Sequence, residues 1–295
     1  MKKRLTLFLV AVTFSLIALS MVAMRSPGNA TSESISTVER LSDNLRLESV
    51  ETDTRASSIA EVLEIARAAR VAMAGNLKDY TARFVKQEVD TSGLLGETTE
   101  MNVKVQTRLR DGSDNAPMRV YLGFESPESV RGREVIWAKD LHDGQLVVHE
   151  AGLLGMITLR LDPTGMLAMR GQRYPIYEIG LVRLVEKLIE RGGKDLDNPD
   201  IQVTITKEVP FDDVSAELIQ VKRSKPSDEE DDFSLAEIVM DPNRQLVLSY
   251  RSFGWPADEG EKPPLQESYA YHDIQTNVGL AETDFDPQNS AYQFP

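Results

Sequence analysis

Tyr80-Thr-Ala-Arg-Phe-Val-Lys-Gln-Glu88 and Met101-Asn-Val-Lys-Val-Gln-Thr-Arg-Leu109 decide how the chain folds. In the first, Tyr80, Ala82 and Phe84 alternate with Thr81, Arg83 and Val85. In the second, Met101, Val103, Val105, Thr107 and Leu109 alternate with Asn102, Lys104, Gln106 and Arg108. A period of two sends successive side chains to opposite faces, as in a strand with one buried face. Met118, Val120, Leu122 and Phe124 form another such set, and residues 132–138 and 145–150 read as short strands around an Asp143-Gly144 turn. Consecutive strands with short connections pair antiparallel, so a meander is predicted.

Two stretches switch to helical spacing. Over 57–75, Ile59, Val62, Leu63, Ala66, Ala69, Ala72 and Met73 share a face, Ser58-Ile-Ala-Glu61 fits a capping box, and Gly75 offers a stop. Over 178–191, Leu181, Val182, Leu184, Val185, Leu188 and Ile189 form a stripe. Arg183, Glu186, Lys187 and Glu190 are expected to face water, and Gly192-Gly193 to end the helix. Further strands are read near 200–208, 216–223, 233–240, 245–253 and 265–275, with an acidic loop at 227–232. The polar faces of most strands suggest a sheet wet on one side, whose other face needs a cover. The fold class is therefore α+β: a strongly curved, unclosed antiparallel sheet of about ten strands covered by two amphipathic helices.

The organisation along the chain follows. Lys2, Lys3 and Arg4 precede an apolar run over 5–24, so residues 1–30 read as a secretory signal peptide or an uncleaved N-terminal membrane anchor. Either places the remainder outside the cytoplasm, in the periplasm or cell envelope, because the basic end stays inside. Residues 31–55, rich in Ser, Thr, Glu and Asp, read as a disordered linker, and 57–290 as one domain. The 295 residues carry 33 Lys+Arg, 47 Asp+Glu, three His and no Cys, a net charge of −14. Loss of the four basic side chains in 1–30 takes this to −18. That balance argues against a nucleic-acid partner and against lasting residence on anionic lipid. Without cysteine there is no disulfide, thiolate metal site or cysteine nucleophile.

No G-x-S-x-G, H-E-x-x-H, P-loop or G-x-G-x-x-G is present. His149 and Glu150 are strand neighbours and point apart. Asp228, Glu229, Glu230, Asp231 and Asp232 lack the spacing of a calcium loop and read as solvated charge, as do Asp284 and Asp286. No metal or cofactor is expected. Two segments stand out. Gly132-Arg-Glu-Val-Ile-Trp137 sets a charge pair at the head of an apolar strand. Ala168-Met-Arg-Gly-Gln-Arg-Tyr-Pro-Ile176 gathers two arginines and a tyrosine before a helix. Arg133, Arg170, Arg173 and Tyr174 are candidates for a polar rim that holds a carboxylate or phosphate.

These segments, with Tyr80–Glu88, Asn277-Val-Gly-Leu280 and Asp284-Phe285, resemble an exported bacterial family, domain of unknown function 1571, over roughly 57–290. More distantly, the layout is similar to the periplasmic lipoprotein carriers LolA and LolB: a first helix, a strand of the form aromatic-x-Ala-x-Phe, and a last strand followed by Asp-Phe. The inserts near 153–175 and 225–232 have no counterpart in those carriers. The resemblance implies an unclosed antiparallel barrel under a helical lid, with a cavity that takes acyl chains and no covalent chemistry.

In such a barrel Phe84, Met101, Val103, Val105, Val120, Leu122, Phe124, Val135 and Trp137 would line the cavity, and Met156, Met166 and Met169 would serve an adaptable lid. The ordinary alternative for all of them is a packed core. Each buried methylene contributes about 0.8 kcal/mol, so about 14 of them give about 11 kcal/mol gross, less the cost of association. Three readings stay open: a binder of lipid acyl chains or another apolar ligand, an envelope structural or protein-interaction module with a solid core, and an enzyme of unknown chemistry. The discriminating feature is a contiguous apolar cavity between sheet and helices.

Overall fold

The computed structural model describes residues 53–152, 157–229, 232–258 and 260–295. The expected leader, all but the end of the expected linker, and Met156 lie outside the described residues. Among the described residues the elements run β1 (Thr54–Ser57), α1 (Ile59–Asn76), β2 (Asp79–Glu88), β3 (Thr99–Gln106), β4 (Arg119–Ser126), β5 (Glu134–Ala138), β6 (Leu146–His149), β7 (Thr158–Leu161), α2 (Leu181–Lys194), β8 (Ile201–Phe211), β9 (Val214–Arg223), β10 (Leu235–Asp241), β11 (Leu246–Phe253) and β12 (Leu265–Thr276). All twelve strands join one antiparallel sheet in the order β1-β8-β9-β10-β11-β12-β2-β3-β4-β5-β6-β7. Its two edges, β1 and β7, are not paired to each other, so this is an unclosed half barrel. Two more strands occur than the sequence suggests. Both are four-residue edge strands, Thr-Arg-Ala-Ser and Thr-Leu-Arg-Leu, too short and exposed to show alternation.

The meander places its inward side chains in cross-strand rows. One runs Ala82–Val103–Leu122–Val135–Val148–Leu159 and a second Tyr80–Val105–Val120–Trp137–Leu146–Leu161. A third, shorter row is Phe84–Met101–Phe124. Both helices cover this face. The Ser58 hydroxyl accepts the Glu61 N–H and starts α1, as the capping motif suggests. The other half of that box does not form, because the Glu61 carboxylate is taken by Arg55 and the Ser57 hydroxyl. At its far end the Asn277 amide accepts from Lys78 N and donates to Asn76 O, closing the helix terminus.

α2 departs from its expected bounds for a physical reason. Gly192 does not stop it; the helix continues to Lys194. A Cβ at Gly192 would sit 3.0 Å from Leu63 Cδ2, so this glycine lets α1 cross close to α2. Of the side chains expected to face water, Glu186 is instead held by Arg70 (2.8 Å) and by Arg108. Lys187 turns inward over the Tyr174 ring, 3.3 Å from its centroid. Beyond the C-terminus of α2, Asp195 receives two hydrogen bonds from Arg223 of β9 at 2.6 and 2.7 Å, with both side chains almost fully buried. Arg223 also pairs with Asp232 at 2.7 Å, and Trp255 donates to the same carboxylate at 2.6 Å. Asp232 is therefore a structural anchor, not part of a solvated run.

The opposite face of the sheet is not uniformly wet. Over β4–β6 the chain after β12 returns and builds a second core from Tyr121, Ile136, Val147 and Phe285, with Leu280, Tyr292 and Phe294 packed around it. Tyr121 and Tyr292 stack at 4.2 Å, and Lys104 pairs with Asp284 at 2.9 Å. His149 is buried on this side against Phe294. Phe285 is fully buried. Phe285→Ala should therefore lose about 3–5 kcal/mol of stability, measured by urea unfolding. A loss below about 1 kcal/mol would mean that the terminal segment does not support the sheet.

Candidate functional site

Between the sheet and α2 lies a hollow of about 300 Å³. Its floor comes from β2–β7 and β11–β12, and its roof from the inner face of α2 and the strap leading into it. The suspension of α2 explains why the space is not filled. At its N-terminus the Leu181 and Gly180 amides donate to the Tyr80 and Tyr271 hydroxyls, at 3.2 and 3.1 Å. Those rings rise from β2 and β12 and take the place of a Ser or Asp cap. Gly180 has φ +108°, and a Cβ there would meet the Tyr80 hydroxyl at 3.0 Å, so this approach requires glycine. Near its other end Arg191 donates to Glu267 (3.0 Å) and to Tyr250. The span between carries Leu184, Lys187 and Leu188 above the open space.

The hollow has two halves. Over β3–β7 it is apolar: Met101, Leu122, Phe124, Val135, Leu146, Val148 and Leu161 face Leu167, Ala168, Ile176, Ile179, Leu184 and Leu188. Over β11, β12 and β2 it is polar: Tyr250, Glu267, Tyr269, Lys86 and Glu88, with Gln172, Tyr174 and Arg191. Glu88 and Glu267 oppose each other in register, an arrangement that like charges resist. Cations and hydroxyls offset the repulsion. Glu88 accepts from Lys86 Nζ (2.8 Å), Arg173 N (2.8 Å) and the Tyr269 hydroxyl (2.6 Å). Glu267 lies 3.1 Å from the Tyr269 hydroxyl and pairs with Arg173 at 3.8 Å. Burial works to raise the Glu88 carboxyl, but Lys86 and these donors outweigh it and hold the group below its ordinary range. Burial and then the two carboxylates push the Tyr269 phenol well up, so it remains a donor. Burial lowers the Lys187 ammonium despite Glu178.

Of the nine residues expected to line a cavity, Phe84, Met101, Leu122, Phe124 and Val135 line this one. Val103, Val105, Val120 and Trp137 share their face but lie in packed core. The turn at 176–181 sits over that corner: Tyr177 lies 6.0 Å from the Trp137 ring, and Trp137 donates to Gly144 O at 3.0 Å. Alternation identifies the face, but not which positions along it are packed and which stay open. The lid expected from Met166 and Met169 is contributed by their neighbours Leu167 and Ala168, while Met166 is 86% exposed. Arg133, Arg170 and Tyr174 border the hollow. Arg173 stands behind, bonded to Glu88 through its amide and to the Tyr174 hydroxyl through its side chain. Sequence reasoning missed the carboxylate pair and Arg191, which no local motif announces. Leu184 and Leu188, which the sequence places in the apolar stripe of the covering helix, also line the hollow.

Among the described lining residues there is no serine, threonine or histidine. Nor do the described residues contain a group of His, Cys, Asp or Glu able to hold a metal ion, or a helix long and apolar enough to cross a membrane. What this arrangement offers chemically is an apolar slot with a hydrogen-bonding end, suited to hold a molecule that is itself two-sided.

The model of the family described as "Protein of unknown function (DUF1571)" matches residues 77–294. None of the curated proteins matches the chain. Among solved structures the chain is similar to a DUF1329 family protein from Desulfovibrio piger (11% identity, 78% of this chain and 98% of that one, TM-score 0.37). It is also similar to a putative outer membrane lipoprotein-sorting protein domain from Vibrio parahaemolyticus (12%, 76% and 95%, 0.34). A LolA superfamily protein from Nitrosomonas europaea is a third (9%, 75% and 97%, 0.30).

The depressed Glu88 carboxyl sets a pH dependence. Its ionised form contributes stability above the ordinary value of 4.5, and that contribution is lost as pH falls through the lower folded-state value. Glu88→Gln should be less stable than the parent by about 2–3 kcal/mol at pH 7, and thermal unfolding should show the gap narrowing below about pH 4. A gap that stays constant down to pH 3 would contradict the assignment.

Proposed function

The chain belongs to the DUF1571 family, and we propose that this member is an exported, non-enzymatic binding protein that holds an acyl chain, or an apolar ligand of that shape, between its curved sheet and α2. The observation that carries this reading is the hollow itself, whose apolar half is floored by five neighbouring strands and roofed by Leu184 and Leu188. A volume of about 300 Å³ stands at the low end of ligand pockets, roughly 300–1,000 Å³, and suits one chain. At about 0.8 kcal/mol per buried methylene, a chain of about ten gains about 8 kcal/mol gross. Association removes several kcal/mol of that, so moderate affinity is expected without a strong polar anchor. The basic start and apolar run of residues 1–24 support export to the periplasm or cell envelope. Lipoprotein acyl chains and envelope lipids are the ligands that such a location supplies.

A second reading, an interaction module of the envelope, draws on β7. This edge strand carries exposed Leu159, with Ile157 beside it 55% exposed, and edge strands accept partner strands. It does not account for the hollow.

Native mass spectrometry of protein purified from cells, followed by titration with a fluorescent fatty acid, tests the first reading. A co-purified acyl species or saturable uptake is expected. Val135→Trp and Leu122→Trp, which fill the apolar half, should weaken uptake at least about tenfold while retaining the far-ultraviolet circular dichroism of the parent; such overpacking destabilises by only about 1–3 kcal/mol. An apo mass together with no uptake would overturn the proposal.

A further inference from the structure

The charges around the hollow do not balance, and the imbalance points to the kind of head group the ligand carries. Among the described residues, five cationic and four anionic side chains line it. Lys86 pairs with Glu88 (2.8 Å), Arg133 with Glu150 (2.9 Å), Lys187 with Glu178 (3.2 Å) and Arg191 with Glu267 (3.0 Å). Every acid is thereby matched, and Arg170 is left over. Its side chain is exposed, no ion pair or hydrogen bond with another described residue engages it, and it sits on the strap between Leu167 and Ala168 of the apolar half and Gln172 and Tyr174 of the polar half. The chain as a whole carries 47 acidic against 33 basic side chains. An uncompensated guanidinium at the edge of this apolar hollow therefore runs against the overall balance. The arrangement matches a molecule with an acyl tail and one acidic group, the tail over β3–β7 and the acid at the rim.

We propose that the hollow selects amphiphiles bearing a single acidic head group, carboxylate or phosphate, through Arg170, whose planar fork receives such groups bidentately. This rests on the reading of the hollow as an acyl site. Arg173, the sequence-level companion of Arg170, does not share the role, because it already serves Glu88, Glu267 and Tyr174.

The test is calorimetric titration of the full exported chain with three ligands of equal tail length: dodecanoate, dodecyl phosphate and dodecanol. At least one acid is expected to bind about five- to tenfold tighter than the alcohol, as one partly exposed charged contact supplies, and which acid is preferred identifies the head group. Arg170→Gln should bind all three with the affinity the parent shows for dodecanol. Arg160→Gln, an exposed arginine that does not line the hollow, should keep the preference, and added salt should shrink it. Equal binding of acids and alcohol by the parent, a preference that survives in Arg170→Gln, or equal loss in Arg160→Gln would each overturn the inference while leaving the acyl site standing. Failure of all three ligands to bind would remove the acyl site itself.

Discussion

α2 is a bridge held by its ends. Tyr80 and Tyr271 meet its first amides from the sheet, and Arg191–Glu267 with Arg223–Asp195 tie down the last turn and the residue beyond it. Helix termini leave amides and carbonyls unsatisfied, and charges buried between sheet and helix need close partners. Polar chemistry thus fixes where the helix stands, and its middle does not collapse onto the strands. An amphipathic helix placed only by its apolar stripe would settle until its leucines filled the floor, since interiors pack to near-crystal density. Here Leu184 and Leu188 remain half-buried over open space while Leu181, Val182 and Val185 are fully packed.

Much of this was legible in the sequence. Alternation in Tyr80–Glu88 and Met101–Leu109 gives the strands and their inward face, although the second strand ends at Gln106 and residues 107–109 turn away, and the stripe over Leu181–Ile189 gives the covering helix. The bounds of the hollow were not legible. Val120 and Leu122 have the same pattern and the same face, yet Val120 lies in packed core and Leu122 lines the hollow. Only the path of the strap separates them, and that path is set by long-range bonds such as Arg173 N to Glu88 and Lys86 to Gln172. Gly192 illustrates the same limit. Two adjacent glycines read locally as a helix stop, whereas tertiary contact with Leu63 makes one of them a crossing point.

The segments by which the sequence resembles its family acquire physical roles. Asn277 closes the end of α1, and Phe285 nails the returning terminal segment to the outer face. The remaining segments, Tyr80–Glu88, Gly132–Trp137 and Ala168–Ile176, contribute Phe84, Lys86, Glu88, Arg133, Val135, Ala168, Arg170, Gln172, Tyr174 and Ile176 to the wall of one hollow. Residues distant in the chain thus share both a motif and a place, and a single site gives that coincidence a cause. Packing alone would account for the terminal motifs, but not for charged side chains gathered on the inner face of an otherwise apolar sheet.

The central claim is that the space beneath the α2 bridge is a built receptacle for a chain-like apolar molecule. The most direct measurement is a crystal structure of the protein soaked with a terminally brominated alkanoate, with bromine located by anomalous scattering. The account predicts a single strong bromine peak over β3–β7, close to Leu122, Val135 and Leu188, with α2 and its polar ties in place. A hollow occupied by the protein's own side chains, or bromine found only on the outer surface, would contradict it.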